Sequence, residues 1–177
     1  EEYKGRGVVK NALKLSVLLF QRPGEIRSMR WSEINWEKSR WERKSFRQKA
    51  RRDHITPLST QVLAVLEEMQ SFTGESEFVF PNTRNWTEPM SDNSVRVALR
   101  GMGFGKEAIT PHGFRAMART ILEEELGYSD KLVELQIAHK VYNPMGRAYD
   151  RTAFLPERSA MMQRWADYLD QLTDDAK

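Results

Sequence analysis

Six side chains in this sequence have the types that phosphodiester cleavage requires: two arginines, two histidines, a lysine and a tyrosine. In chain order they are Arg22, Lys49, His112, Arg115, His139 and Tyr149. A phosphate under attack gains negative charge on its non-bridging oxygens, and planar guanidinium groups can hold two such oxygens at once. The set therefore indicates phosphoryl chemistry supported by side-chain cations, in which no metal ion is required.

Tyr149 is the candidate nucleophile. A tyrosine hydroxyl has an unperturbed pKa of about 10, so neighbouring cations and a proton acceptor must assist its deprotonation. A protonated lysine or histidine must then give a proton to the departing sugar oxygen. Tyr128, Tyr142 and Tyr168 are rival nucleophiles on residue type alone.

Each part of the set has an ordinary structural explanation when it is taken alone. His112 and Arg115 are three residues apart, which puts them on one face of a helix, but a structural histidine capped by a carbonyl gives the same spacing. Arg22-Pro-Gly-Glu25 is a common string at the start of a helix, and Lys49 is one of several cations in its segment. The chemistry is indicated by the whole set and by no single member.

The charge distribution favours a polyanionic partner. The net charge of +3 combines +8 over residues 1–60 with −5 over the remainder. Residues 38–52 hold eight basic side chains and one acid, Glu42. Such a stretch can neutralise several phosphates and give salt-dependent affinity for nucleic acid, although a solvated basic face explains the charge equally well.

Length and composition fit one folded domain. The 177 residues are 40% hydrophobic, with no apolar run of membrane-spanning length and no signal-peptide pattern, which predicts a soluble protein. The absence of cysteine excludes disulfides, thiolate catalysis and cysteine-ligated metal sites. Because the chain begins inside a predicted helix without an initiating Met, we expect it to be a fragment of a longer protein.

The elements that must position these residues are predicted to be mainly helices, with one small sheet. Helices are expected at residues 8–20, 23–31 and 112–126. Three further helices are expected to begin after N-caps at Ser59, at Ser91 and at Ser129 or Asp130, and a last helix is expected from Pro156 onward. Three short strands, at residues 34–36, 41–46 and 54–58, are predicted to form an antiparallel sheet. The basic run 47–52 then joins the last two strands and places Lys49 on a turn.

The order of these motifs resembles the catalytic domain of tyrosine recombinases. The motifs are Arg22-Pro-Gly-Glu25, Lys49 eight residues before Pro57-Leu58, His112-Gly-Phe-Arg115, Ala138-His139-Lys140, and Tyr149. More narrowly, the strings RPGEIRSMRWSEI, ITPHGFRAMART, LQIAHK and NPMGRAYDRT are similar to prophage and satellite-phage integrases. The resemblance runs from about residue 3 to residue 172, and five motifs in one order are far more specific than any one of them.

The resemblance implies a role for each cation near the phosphate. Arg22 and Arg115 would clamp the scissile phosphate, and Glu25 would support Arg22. Lys49 would act as the general acid toward the leaving 5′-oxygen.

It also implies the roles of the histidines and the tyrosine. His112 and His139 would hydrogen-bond the phosphate and assist proton transfer. Tyr149 would form a 3′-phosphotyrosyl link that a 5′-hydroxyl later reverses. The interval of ten from His139 to Tyr149 is one longer than in many distant family members but suits this subgroup, and the rival tyrosines do not follow a histidine at the family's spacing.

Other residues have weaker assignments. Four arginines are candidate contacts to the DNA backbone: Arg51, Arg52, Arg119 and Arg147. A structural role or a phosphate contact is favoured over catalysis for His54. The helix stripe Met161, Trp165, Tyr168 and Leu172 is typical of core packing, but in this family a C-terminal helix can also dock onto a neighbouring protomer, so both explanations stand.

The fold implied is mainly α (α+β), an integrase-like catalytic core, and the function is that of a site-specific DNA recombinase that integrates or excises a mobile element. The resemblance implies a metal-independent enzyme without a cofactor that acts on double-stranded DNA as a homotetramer on two recombining sites. Accessory DNA-bending or directionality proteins and a cytoplasmic, nucleoid-associated location are compatible with it.

Residues 1–177 would form the catalytic domain alone, without the N-terminal arm-binding and core-binding domains, and the isolated fragment is expected to be monomeric. The sequence leaves three alternatives open: a type IB topoisomerase-like enzyme, a non-cutting DNA-binding regulator with the same fold, and a basic structural domain.

Overall fold

The computed structural model describes residues 4–43, 53–138 and 154–175. The chain divides into two compact units, one formed by Glu1–Ser32 and Val62–Arg119 and the other by Glu33–Gln61 and Thr120–Lys177. Within residues 4–43, 53–138 and 154–175, no helix is both long and apolar enough to cross a membrane.

Helices dominate the described ranges, as predicted. In chain order they are α1 (Gly7–Leu19), α2 (Pro23–Arg27), α3 (Thr60–Thr73), α4 (Ser94–Gly101), α5 (Gly113–Thr120), α6 (Asp130–Gln136) and α7 (Leu155–Asp175). A 3₁₀ turn spans Trp31–Glu33, and a π-helical turn spans Ile121–Glu125.

The end of α1 sets the position of the first predicted site arginine. Helix α1 buries Ala12, Leu15 and Leu19, which recur at helical spacing on one face. It ends at buried Phe20, whose φ of 39° and ψ of 33° lie in the left-handed region. Pro23 then occupies the first turn of α2, where its missing N–H would have no helical partner.

Helix α2 is shorter than predicted because its C-terminal continuation pairs with another segment. The backbone N–H of Val79 donates to the carbonyl of Met29 at 2.9 Å, and that of Trp31 donates to the carbonyl of Glu77 at 3.2 Å. The prediction of a helix to residue 31 was therefore wrong beyond Arg27. The predicted buried extension at residues 78–81 is present and supplies the competing partner.

The predicted antiparallel sheet is confirmed. Its strands β1 (Ile34–Asn35), β2 (Arg40–Arg43) and β3 (His54–Pro57) lie in the order β1-β2-β3. Ile34 pairs with Trp41, and Arg43 pairs with His54. Trp41 is buried and donates its indole N–H to Glu33 at 2.9 Å, which fixes the strand in its unit.

Several helix boundaries differ from the sequence prediction. Helix α4 begins at Ser94 and not directly after Ser91, because the Ser91 hydroxyl accepts the N–H of Asn93 in a turn before the helix. The helix expected at residues 112–126 is α-helical only to Thr120 and continues as the π-helical turn. Gly127, with φ of +72°, ends it as predicted.

Helix α7 is amphipathic along its first half only. Its buried side chains are Leu155, Arg158, Met161, Met162, Trp165 and Ala166. Tyr168 stacks on Trp165 with ring centroids 6.2 Å apart, whereas Leu172 is exposed. The predicted core stripe is thus confirmed as far as Trp165, and protomer exchange through the remainder stays a hypothesis.

Candidate active site

Arg22 and Glu25 are joined at the start of α2. One carboxylate oxygen of Glu25 accepts the backbone N–H of Arg22 at 3.3 Å, and the other accepts from Arg22 Nη1 at 3.3 Å. Glu25 is only 5% exposed, whereas the Arg22 side chain is one-third exposed. The buried carboxylate therefore orients the Arg22 guanidinium through Nη1, while part of the Arg22 side chain faces solvent.

Arg115 lies in the second chain segment of the same unit and is anchored to the first segment by a hydrogen bond. It lies on the inner face of α5 with Phe114 and Ala118 and is only 4% exposed. Its Nη1 donates to the carbonyl oxygen of Phe20 at 3.0 Å. Because Phe20 stands two positions before Arg22, this bond ties the two predicted phosphate-binding arginines to one turn of the backbone.

His112 lies at the N-terminal end of α5. It is exposed, and its carbonyl accepts the N–H of Arg115 at 3.2 Å. The hydroxyl of Thr110 accepts the N–H of Gly113 at 3.0 Å and so caps the first turn. This cap fixes where α5 begins and therefore where His112 stands relative to Arg115.

The other predicted site residues are divided between described and undescribed parts of the chain. Arg119 is exposed on α5, one turn after Arg115. Six of the predicted site residues lie outside the described residues: Lys49, Arg51, Arg52, His139, Arg147 and Tyr149. The structure thus brings together Arg22, Glu25 and Arg115.

His54 has the structural position that the sequence favoured. It is buried in β3, and its Nε2 lies 3.0 Å from the carbonyl oxygen of Gln136 at the end of α6. Sequence reasoning missed two buried polar residues beside it, Gln136 and Arg158. Arg158 was detectable, because it falls at helical spacing between Leu155 and Met162 on the apolar face of α7.

The described part of the site has the chemistry of an anion-binding turn. Two guanidinium groups, each able to offer several N–H donors in a plane, are fixed around the same backbone corner. One of them is buried, where its charge is screened less by water than it would be on the surface. A phosphate group matches such a donor set in both charge and geometry.

The chain belongs to the phage integrase family. The sequence model of that family matches residues 6–154, which include both described arginines and every other predicted catalytic position. Among individual relatives, the integrase of Enterobacteria phage P4 is 41% identical over 182 aligned residues, which cover 95% of this chain and 42% of that protein. The chain thus spans less than half the length of the P4 integrase.

Solved structures confirm the predicted fold. The integrase from mycobacterium phage Brujita matches with a TM-score of 0.70 at 16% identity, over 92% of this chain and 53% of that one. A lambda integrase tetramer bound to a Holliday junction matches with a TM-score of 0.57 at 21% identity, over 80% of this chain and 44% of that one. The fold is that of an integrase catalytic core.

Proposed function

We propose that residues 1–177 are the catalytic domain of a site-specific DNA recombinase, an integrase that cleaves and rejoins DNA through a 3′-phosphotyrosyl intermediate. The observation that carries the proposal is the anchoring of Arg115 and Arg22 around Phe20 in a member of the phage integrase family. Charge placed in this way suits a phosphate whose oxygens become more negative during the reaction.

In the proposed reaction the Tyr149 oxygen attacks the scissile phosphorus, and the bond from phosphorus to the 5′-oxygen breaks. Lys49 gives its proton to the departing 5′-oxygen, and His112 and His139 assist the proton transfers. A 5′-hydroxyl later attacks the phosphotyrosine, so that the DNA bond is restored and Tyr149 leaves. Each strand exchange conserves one phosphodiester bond and needs no external energy source.

The role of Arg22 and Arg115 is to stabilise the five-coordinate phosphate. Glu25 supports the proposal because it orients Arg22 through both the backbone and the side chain. Cationic side chains supply the charge neutralisation that a metal ion supplies in other phosphoryl-transfer enzymes, and a metal-independent reaction is therefore part of the proposal.

The whole protein is proposed to be longer and to act as an assembly. N-terminal arm-binding and core-binding domains would precede the present chain, which accounts for less than half of the P4 integrase. A homotetramer on two double-stranded DNA sites is proposed by analogy with the lambda integrase tetramer on a Holliday junction. Accessory DNA-bending or directionality proteins and a cytoplasmic, nucleoid-associated location belong to the same proposal.

The decisive experiment looks for a covalent protein–DNA adduct. The chain is incubated with a pool of duplexes that carry a nick near a randomised target, so that the cleaved fragment diffuses away and the adduct accumulates. Adducts are separated on denaturing gels and sequenced, in the presence of EDTA. We expect the wild type to form an adduct and Tyr149→Phe to form none.

The control is Tyr168→Phe, which removes a hydroxyl from a tyrosine stacked on Trp165 and should leave adduct formation intact. An adduct that persists in Tyr149→Phe would show that another residue is the nucleophile. DNA binding without any adduct would favour the non-cutting regulator, and relaxation of supercoiled DNA without strand exchange would favour the topoisomerase-like enzyme.

A further inference from the structure

A buried hydrogen-bond cluster joins three elements of the second unit. Arg158 of α7 is 2% exposed and donates from Nε to the Gln136 side-chain oxygen at 2.9 Å. Its Nη2 donates to the carbonyl oxygen of Ile55 in β3. His54 contacts the Gln136 carbonyl from the same strand. We call these four residues the Arg158 junction.

The Arg158 junction stands where three chain segments approach predicted catalytic residues. His54 follows Lys49 by five positions, and Gln136 precedes His139 by three. Helix α7 begins six residues after Tyr149. A backbone spans at most ~3.3–3.6 Å per residue, so over intervals this short a displacement of the junction must move the adjoining end of each segment.

Simple core packing does not account for an arginine at this position. Burying a charged group is costly, and a hydrophobic side chain of similar volume often fills such a site at least as well. A guanidinium, however, donates in two fixed directions at once. Here those directions lead to the end of α6 and to β3, which an apolar side chain could not join by hydrogen bonds.

Beside the junction, the start of α7 is held at a second contact. The ammonium of Lys131 in α6 lies 4.7 Å from the centroid of the Phe154 ring. The carbonyl of Phe154 accepts the backbone N–H of Arg158 at 2.8 Å. The Phe154 ring thus contacts α6, and the Phe154 carbonyl accepts the first-turn hydrogen bond of α7.

We infer that Arg158 is a positioning residue for the recombination chemistry. Through the junction it sets the anchoring points next to Lys49, His139 and Tyr149 relative to one another. The inference rests on the proposed function, and it adds a positioning role for three residues to which the sequence motifs assigned no part in the chemistry: Arg158, Gln136 and His54.

The test compares variants by single-turnover adduct formation on a nicked duplex selected with the wild type. Arg158→Lys keeps a buried cation but loses the planar fork, and Gln136→Leu removes one acceptor. Gln163→Ala is the matched control, because Gln163 also joins α7 to a neighbouring element through Thr60 and Gln61. Gln163 lies five residues further along the helix than Arg158 and bonds to α3.

We expect the maximal rate constant of Arg158→Lys and Gln136→Leu to fall by at least about tenfold, as misplacement of reacting groups does. The half-saturating DNA concentration and the final adduct amplitude should stay near the wild-type values, since the fraction of folded protein is unchanged. Gln163→Ala should retain the wild-type rate. A loss confined to the amplitude would mean that Arg158 supports folding only, and it would overturn the inference.

Amide hydrogen exchange of the DNA-free chain provides a second readout. Arg158→Lys should accelerate exchange at Ile55, Thr56 and Ile137, and Gln163→Ala should not. Unchanged exchange together with an unchanged rate constant would reject the positioning role while the wild-type adduct left the proposed function intact. Failure of the wild type to form any adduct would overturn the proposed function and this inference together.

Discussion

Arg115 donates from Nη1 to the carbonyl oxygen of Phe20, 3.0 Å away and 95 positions earlier in the chain. Phe20 is the C-cap of α1 and has a left-handed backbone conformation, and Arg22 is the N-cap of α2. A buried guanidinium therefore fixes the corner from which a partly exposed one projects. Changes at Arg115 should consequently act on DNA cleavage both directly and through Arg22.

Arg115→Lys is expected to reduce the single-turnover rate of adduct formation by a factor on the order of a hundred to a thousand, as loss of a transition-state donor commonly does. Lysine keeps the charge but has no planar fork, so it cannot hold the Phe20 carbonyl and a phosphate oxygen in the same fixed geometry. The rate is measured at saturating DNA.

The control for this prediction is Arg119→Lys on the same helix, where the side chain is exposed. It should leave the rate of cleavage and the salt dependence of DNA binding near the wild-type values, because lysine keeps the charge of a phosphate contact that lies outside the reacting centre. Equal losses of rate in the two variants would argue against a special role for Arg115.

Glu25→Gln should lower the adduct rate by about tenfold, toward the lower end of the range for positioning effects. The single amide oxygen can accept one of the two hydrogen bonds that the carboxylate oxygens accept from Arg22. The amide NH₂ would then face the other donor of Arg22, and no hydrogen bond could form there. Stability should change by less than about 1 kcal/mol, because the Arg22 side chain is one-third exposed and solvent screens the pair.

A matched variant removes the same charge elsewhere. Glu107 pairs with Lys106 at 3.5 Å, and both side chains are more than four-fifths exposed. Glu107→Gln should leave both the adduct rate and the urea midpoint unchanged. If it reduced the rate as much as Glu25→Gln does, net charge and not the orientation of Arg22 would be the cause.

Glu33 makes the stability of the second unit sensitive to pH. Burial raises the pKa of its carboxyl group above the ordinary value of 4.5, and the Trp41 hydrogen bond and the charge of Arg43 only partly oppose that increase. The folded state therefore binds this proton more tightly than the unfolded state does. Its contribution is fully present below pH about 4.5 and is lost as the pH rises through the folded pKa.

Glu33→Gln should remove this pH dependence while an amide oxygen still accepts the Trp41 indole N–H. The variant should gain stability relative to the wild type as the pH rises from 4 to 7, measured as the difference in free energy of unfolding in urea at each pH. A constant difference across that range would show that the pKa of Glu33 is the same in the folded and unfolded states.

The local architecture followed from sequence where one residue decides the backbone. Pro23 and the motif around it fixed the start of α2, and Gly127 fixed the end of the π-helical turn. Short segments with alternating side chains predicted the three strands of the sheet. These features depend on neighbours in the chain, so a sequence pattern contains the information.

The features that were missed depend on contacts between distant segments. Residues 28–31 have helical character, but the segment around Phe78 offers their backbone groups better-placed partners. The bond from Arg115 to Phe20 joins residues that no short motif connects. Arg158 could have been noticed as a charge on an apolar stripe, but its acceptors in α6 and β3 could not have been deduced.

The two halves of α7 should differ in what they stabilise. Trp165 is fully buried, and replacing such a side chain with alanine costs about 3–5 kcal/mol. Leu172 is about half exposed, so Leu172→Ala should cost less than about 0.5 kcal/mol. A chain that ends at Pro156 would keep only Leu155 of the buried residues of α7, whereas a chain that ends at Asp170 lacks residues 171–175, which are all exposed, and the two residues after them.

Urea unfolding of the free chain at several protein concentrations distinguishes packing within one chain from exchange between protomers. If α7 packs on its own chain through Trp165, the wild-type midpoint will be independent of concentration, and the cost of Trp165→Ala will be the same at each. Exchange of the whole helix would instead make both values rise with concentration, because association would then contribute to folding. A chain ending at Asp170 with wild-type stability but impaired assembly on DNA would assign docking between protomers to residues 171–177.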